Sequence, residues 1–149
     1  MIAFYADDVD LPRLRKRTVR RWIEDVAERY QKEVGDICYQ FVNDDRILQT
    51  NQDFLDHDYY TDIITFDETK DNVIAGDIMI SVDTVRSNAD QYDLNYDEEL
   101  HRVIIHGILH LCGLKDETDE DEAVMHRAED EALAMLHEEV GEDESLLDE

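Results

Sequence analysis

Proline occurs once in the 149 residues, at Pro12, and marks no interdomain linker, so the chain reads as one domain. Cysteine occurs twice. Cys38 and Cys112 sit in the apolar contexts DICYQF and HLCGL, which predicts buried structural thiols rather than a bridge, as suits a reducing cytoplasm. No window approaches the ~18 consecutive apolar residues of a spanning helix. The opening MIAFYADDVDLP has neither a charged n-region nor an apolar h-region, and a cytoplasmic location is expected. Basic residues are also scarce, 14 against 40 acidic, for a net charge of -26. That shortage argues against generic nucleic-acid binding, because phosphate contacts need Lys and Arg. No Gly-rich phosphate loop, Ser/His/Asp triad or internal repeat is present.

The charges are not evenly spread. From Glu117 to Glu149 there are fifteen acidic residues and one basic residue, Arg127, which predicts a solvated helix face followed by an acidic, flexible tail over 140–149. Six of the fourteen basic residues fall between Arg13 and Arg21, in RLRKRTVRR. This run suits either phosphate contact or neutralisation against the acidic tail. Trp22 accompanies it on the apolar side, where packing is its expected role.

IAFYA (2–6) reads as a strand. From Leu14 to Val34, Val19, Trp22, Ile23, Val26, Ala27 and Tyr30 recur at helical spacing, with Gly35 as the stop. DICYQFVN (36–43) alternates as a strand. A short helix is expected over 45–54, then a hairpin of TDIITFDE (61–68) and VIAGDIMISV (73–82), the latter apolar enough to be covered on both faces. Helices follow at 84–91, 96–112 and 119–136. The sum is an α+β domain, a mixed sheet of about four strands packed with helices.

The stretch HGILHLCGLKD (106–116) carries the chemistry. His106 and His110 are four apart, and 3.6 residues per turn puts them on one helix face. Gly113 ends the helix and lets the chain fold back, and Asp116 arrives three residues later. Two imidazoles and a carboxylate leave a tetrahedral zinc one position short, the position water takes in hydrolytic sites. Metzincin proteases share this spacing as HExxHxxGxxH, with the Glu beside the first His as general base. Gly107 stands there in this chain and cannot take a proton. The other reading makes the histidines packing residues and Asp116 an N-cap for the last helix.

HGILHLCGLKD resembles the zinc signature HGxLHLxGYDH of the YbeY family, bacterial endoribonucleases that mature rRNA. NQDFLDHDYYTDIITFD (51–67) and AGDIMIS (75–81) resemble two further family segments in the same order, so the likeness runs from about Cys38 to Ala134. It implies a YbeY-like metallohydrolase domain over 1–139, with the metal site at the end of a central helix. It further implies one Zn2+ held by His106, His110 and Asp116, and cleavage of single-stranded RNA during small-subunit rRNA processing, with the ribosome or its proteins as partners. Two departures matter. The third ligand is usually His, where Asp116 stands, and the family's arginine after the aromatic residue is here Leu55, following Phe54. Arg46 and Arg86 are the possible stand-ins, and no residue is identified as the general base. The alternatives are a metallohydrolase of another substrate, such as a metzincin-like peptidase, or a non-catalytic ribosome-assembly protein with a structural metal. His57, His101, His126 and His137 are expected at the surface. Asp77, inside a strand, is expected to accept hydrogen bonds near the site or to anchor a loop.

Overall fold

A computed structural model describes residues 1–56, 61–141 and 144–147. Its sheet has four strands in the order β1 (Ile2–Ala6), β2 (Glu33–Val42), β4 (Val73–Ser81), β3 (Ile63–Asp67). β1, β2 and β4 run parallel, and β3 pairs antiparallel with β4 as the expected hairpin. Five helices are described: α1 (Lys16–Arg29), α2 (Asp44–Leu55), α3 (Val82–Gln91), α4 (Tyr96–Leu111) and α5 (Asp119–Val140). The mixed four-stranded α+β architecture is the one the alternation of elements predicted.

The alternating side chains of the strands divide the sheet into two unequal faces. Ile37, Tyr39 and Phe41 of β2, with Ile74, Ile78 and Ile80 of β4, enter the main core beneath α1 and α4. The buried Tyr39 hydroxyl donates to the Ile104 carbonyl of α4 at 2.8 Å, tying the central strand to the central helix. Among the described residues, the opposite face is covered only where α2 lies, over a small cluster of Val42, Ile47, Ile64 and Met79. β4 is therefore covered on both faces along only part of its length, and Asp77 is exposed on the uncovered part. That corrects the expectation for Asp77: it is a solvated carboxylate on the sheet face away from α4, far from a costly burial.

α1 buries its predicted stripe, Val19, Trp22, Ile23, Val26 and Ala27, but it stops earlier than the sequence pattern suggests. Gln31 takes a left-handed φ of 61°, and the Lys32 amide returns to the Ala27 carbonyl at 3.0 Å. Glu33 and Val34 already pair with Val73 and Ile74. Gly35, read as the helix stop, instead sits at the irregularity in β2, where a Cβ would meet Val73 Cγ1 at 2.8 Å and the Ile74 carbonyl at 3.1 Å. A close approach of strands, not a helix end, requires the glycine there.

α5 packs across α1 and α4 as an outer layer, and the Trp22 indole donates to the Ala132 carbonyl at 2.7 Å. After α5, Leu146 is buried, Leu147 bridges Leu14, and Arg15 donates to the Ser145 carbonyl at 2.9 Å while lying 4.0 Å from Glu144. So part of the basic run meets the acidic segment. Glu142, Asp143, Asp148 and Glu149 of that segment lie outside the described residues.

One carboxyl pair on the α1–α5 seam gives a pH-dependent expectation. Burial, and then the hydrogen bond and charge of Asp25, push the Glu139 carboxyl up to about 7. A folded-state value above the unfolded one means that the stabilisation is present at acid pH and lost as pH rises through about 7. Glu139→Gln should therefore melt higher than the parent at about pH 8, by no more than roughly 0.5 kcal/mol because the pair is largely solvated, and should match it under acidic conditions. Thermal melts at the two pH values measure the difference.

Candidate active site

α4 is built to present one polar face against the sheet edge. Asn95 caps it by accepting the Glu98 amide at 3.1 Å, and acidic residues fill the first turn, where they suit the helix dipole. Its buried stripe includes Leu100, Ile104, Ile108 and Leu111, while Glu99, Arg102, His106 and His110 follow at intervals of three and four along another face. The helix ends in a Schellman motif. Leu114 donates to the Leu109 carbonyl at 3.1 Å, Gly113 to the His110 carbonyl at 3.0 Å, and Gly113 takes φ 106°. The chain turns back as predicted.

The returning loop brings Asp116 alongside α4, with Oδ2 3.4 Å from His106 Nε2. Asp116 does not cap α5. Thr118 does, accepting the Asp121 amide at 3.1 Å. His106, His110 and Asp116 line one cavity of about 400 Å³, together with Asp62 and Thr65 at β3, Glu99 and Arg102 of α4, and Glu129 of α5. Among the described residues, no three His, Cys, Asp or Glu side chains are drawn in to the spacing of a metal cluster. The three expected ligands share a cavity without yet closing on a point.

Glu129 is a site residue that no motif in the sequence singles out. It is buried, its Oε2 lies 2.7 Å from His106 Nδ1, and its Oε1 accepts from Arg102 Nη1 at 3.2 Å. Arg102 Nη2 donates to Asp130 Oδ1 at 2.8 Å. The signal was available. Glu129 falls on the apolar stripe of α5, four residues after Met125 and four before Leu133, where a carboxylate needs partners to be tolerated. Arg102 stands four residues before His106 and so on the same face.

Burial disfavours the charged imidazole of His106, but the hydrogen bond and charge of Glu129, and then the charges of Asp116 and Asp62, outweigh it and raise its proton affinity. Burial raises the Asp62 carboxyl, with the His106 charge opposing, and raises that of Glu99, with Arg102 opposing. Four carboxylates, Asp62, Glu99, Asp116 and Glu129, thus face one guanidinium in the cavity. The donor set fits a divalent ion on three counts. Two imidazoles and a carboxylate are the ligand types zinc takes, the cavity is anionic, and a carboxylate already holds the far nitrogen of His106, an arrangement that recurs around metal-bound histidines.

Several expectations need correction. Neither Arg46 nor Arg86 lines the cavity. Arg46 lies on the other side of the sheet, 3.8 Å from Asp7, and Arg86 stacks on Tyr96 at 4.1 Å. Arg102 is the guanidinium present. Leu55 ends α2, partly exposed, and His57 lies outside the described residues. His101 is wholly buried rather than at the surface. Its Nδ1 lies 2.7 Å from the Asp97 carbonyl, its ring is 6.1 Å from Trp22, and its Nε2 has no partner among the described residues. It faces away from the polar face of α4 because it is one residue out of step with Arg102. His126 is exposed, and His137 lies 3.0 Å from Glu98.

Gly107 explains why this helix lacks the glutamate of the metzincin pattern. The position is buried against the sheet, where an added Cβ would meet Ile78 Cδ1 at 3.0 Å and Ile63 Cδ1 at 3.3 Å. A side chain there would press on Ile78 of the core and on Ile63 of the cavity wall.

Comparisons with known proteins bear on the fold and the family. The solution structure of TM1509 from Thermotoga maritima superposes with a TM-score of 0.64 over 93% of this chain and 91% of that one, at 24% identity, which establishes the shared fold. The endoribonuclease YbeY of Porphyromonas gingivalis is 61% identical over 98% of this chain and 97% of its own length. The endoribonuclease YbeY of Parabacteroides distasonis is 54% identical over 93% and 97%. A family model described as endoribonuclease YbeY matches residues 2–137, so it takes in every side chain of the cavity, and the chain belongs to that family.

Proposed function

We infer that this chain is an endoribonuclease that hydrolyses phosphodiester bonds of single-stranded RNA, with rRNA precursors of the small ribosomal subunit as the substrate class and the cytoplasm as its place of action. The observation that supports this reading is that His106, His110 and Asp116 line one anionic cavity, in a chain 61% identical to a protein named an endoribonuclease. His106, His110 and Asp116 would hold one divalent ion, with zinc the first candidate. Such an ion supplies a Lewis acid that offsets charge on a phosphate and acidifies water. With Asp116 in place of a third imidazole, the ligand set is anionic and harder, which widens the range of acceptable metals.

The protein's own groups then have separable roles. Glu129 is committed to His106 and Arg102, and Arg102 is held in place by Glu129 and Asp130. The carboxylates whose proton affinity burial raises, Asp62 and Glu99, are suited to accept a proton closer to neutrality than a solvated carboxylate would. The anionic cavity repels a phosphate until a cation occupies it, so productive RNA contact depends on the metal.

Purified protein should cut an unstructured RNA oligonucleotide, lose that activity on chelation and regain it with zinc, and leave an unfolded protein substrate intact. Cleavage of the unfolded protein with the RNA untouched would make it a peptidase. Co-sedimentation with ribosomes and no cleavage of either substrate would make it an assembly factor.

A further inference from the structure

We propose that Glu129 is a positioning residue which fixes the tautomer of His106, leaving a bare Nε2 aimed at the cavity, and that Arg102 in turn fixes the orientation of Glu129. An ionised carboxylate only accepts hydrogen bonds, so at 2.7 Å from Glu129 Oε2 the Nδ1 atom of His106 must be the donor. A second carboxylate competes for the same proton from the other side of the ring, but Asp116 Oδ2 is 3.4 Å from Nε2. The nearer acceptor wins, and the neutral ring carries its proton on Nδ1. Glu129 cannot turn away, because its other oxygen accepts from Arg102 at 3.2 Å and its side chain is buried. The proposal rests on the functional reading above only for the use made of the bare nitrogen. The tautomer itself can be measured with neither metal nor RNA, so the two can fail separately.

Glu129→Gln makes the test sharp. Arg102 offers only donors, so it demands the amide oxygen and turns the amide NH2 toward His106, where Nδ1 must then accept. The proton moves to Nε2, and the cavity loses its lone pair. Nitrogen-15 shifts and long-range couplings of the His106 ring, recorded on metal-free protein alkaline of its titration, read the tautomer directly. The expected result is Nδ1–H in the parent and Nε2–H in Glu129→Gln, with zinc affinity about 10–100-fold weaker by chelator competition in the variant, the range typical of groups that orient a ligand. Glu129→Ala, which removes the acceptor altogether, should give a mixture of both forms and a similar loss of zinc affinity. It serves if the Gln variant does not fold. Nε2–H in the parent, the parent's tautomer in both variants, or unaltered zinc affinity in a variant whose tautomer has changed would overturn the proposal.

Discussion

Gly107→Glu will unfold the protein rather than equip it as a peptidase. The substitution restores the general base of the metzincin pattern in sequence, yet the position faces Ile78 and Ile63 across the α4–sheet contact, with an added Cβ already 3.0 and 3.3 Å from their terminal methyl groups. A carboxylate carried further along that direction presses into the packed contact with Ile78, among the buried residues of the main core. Overpacking costs about 1–3 kcal/mol, and an unpaired buried charge adds several more. Against a total stability of about 5–15 kcal/mol, the sum removes most of the margin. Gly107→Ala is the informative companion. Helix propensity favours it by about 1 kcal/mol, and only a few tenths of an ångström must be given up by Ile78, so its stability should stay within about 1 kcal/mol of the parent. Urea denaturation followed by circular dichroism separates the two. A folded Gly107→Glu variant that cleaves peptides would show that the packing account of this glycine is wrong.

Under the proposed function, Asp116→Ala should leave the fold intact and abolish zinc retention. The side chain is about half exposed, does not cap α5 and pairs with His106 among the described residues. Its removal therefore costs little stability, whereas the loss of an anionic ligand should weaken zinc binding by more than about a hundredfold, beyond what loss of an orienting group typically does. Elemental analysis after dialysis reads this outcome without any assay of RNA. Retention of a full equivalent of zinc would refute the assignment of Asp116 as a ligand. Asp116→His should keep the metal, because three imidazoles and an open position form a familiar zinc set.

How far the sequence reveals the molecule depends on whether the feature is periodic or relational. The stripe of α4, the hairpin of β3 and β4, and the turn at Gly113 are periodic or local, and each lies within a residue or two of its expected bounds. The C-terminal end of α1 was misplaced because Val34 continues an apolar pattern that serves a strand instead, and Gly35 serves an approach between strands that only tertiary structure discloses. His101 stands in a helical stretch that follows an acidic run and gives no sign of burial, yet it packs beside Trp22 from a different helix. Glu129 and Arg102 were passed over for a similar reason. A charged pair across two helices leaves no repeat in the chain, and only the oddity of an acid on the buried side of α5 hints at it. The assignment of Asp77 failed because the sheet is covered on one face and half covered on the other, an asymmetry no strand announces on its own.

The provenance of Glu129 carries a last consequence. The donors of the cavity come from α4 and the bend after it, but the carboxylate that steadies them arrives on α5, the final helix, whose backbone also receives the Trp22 indole from α1. During vectorial synthesis, a growing chain that has reached residue 116 holds all three prospective ligands and nothing to discipline them. Under the proposed role of Glu129, His106 gains its orienting carboxylate only once α5 has docked, so completion of the cavity comes late in synthesis.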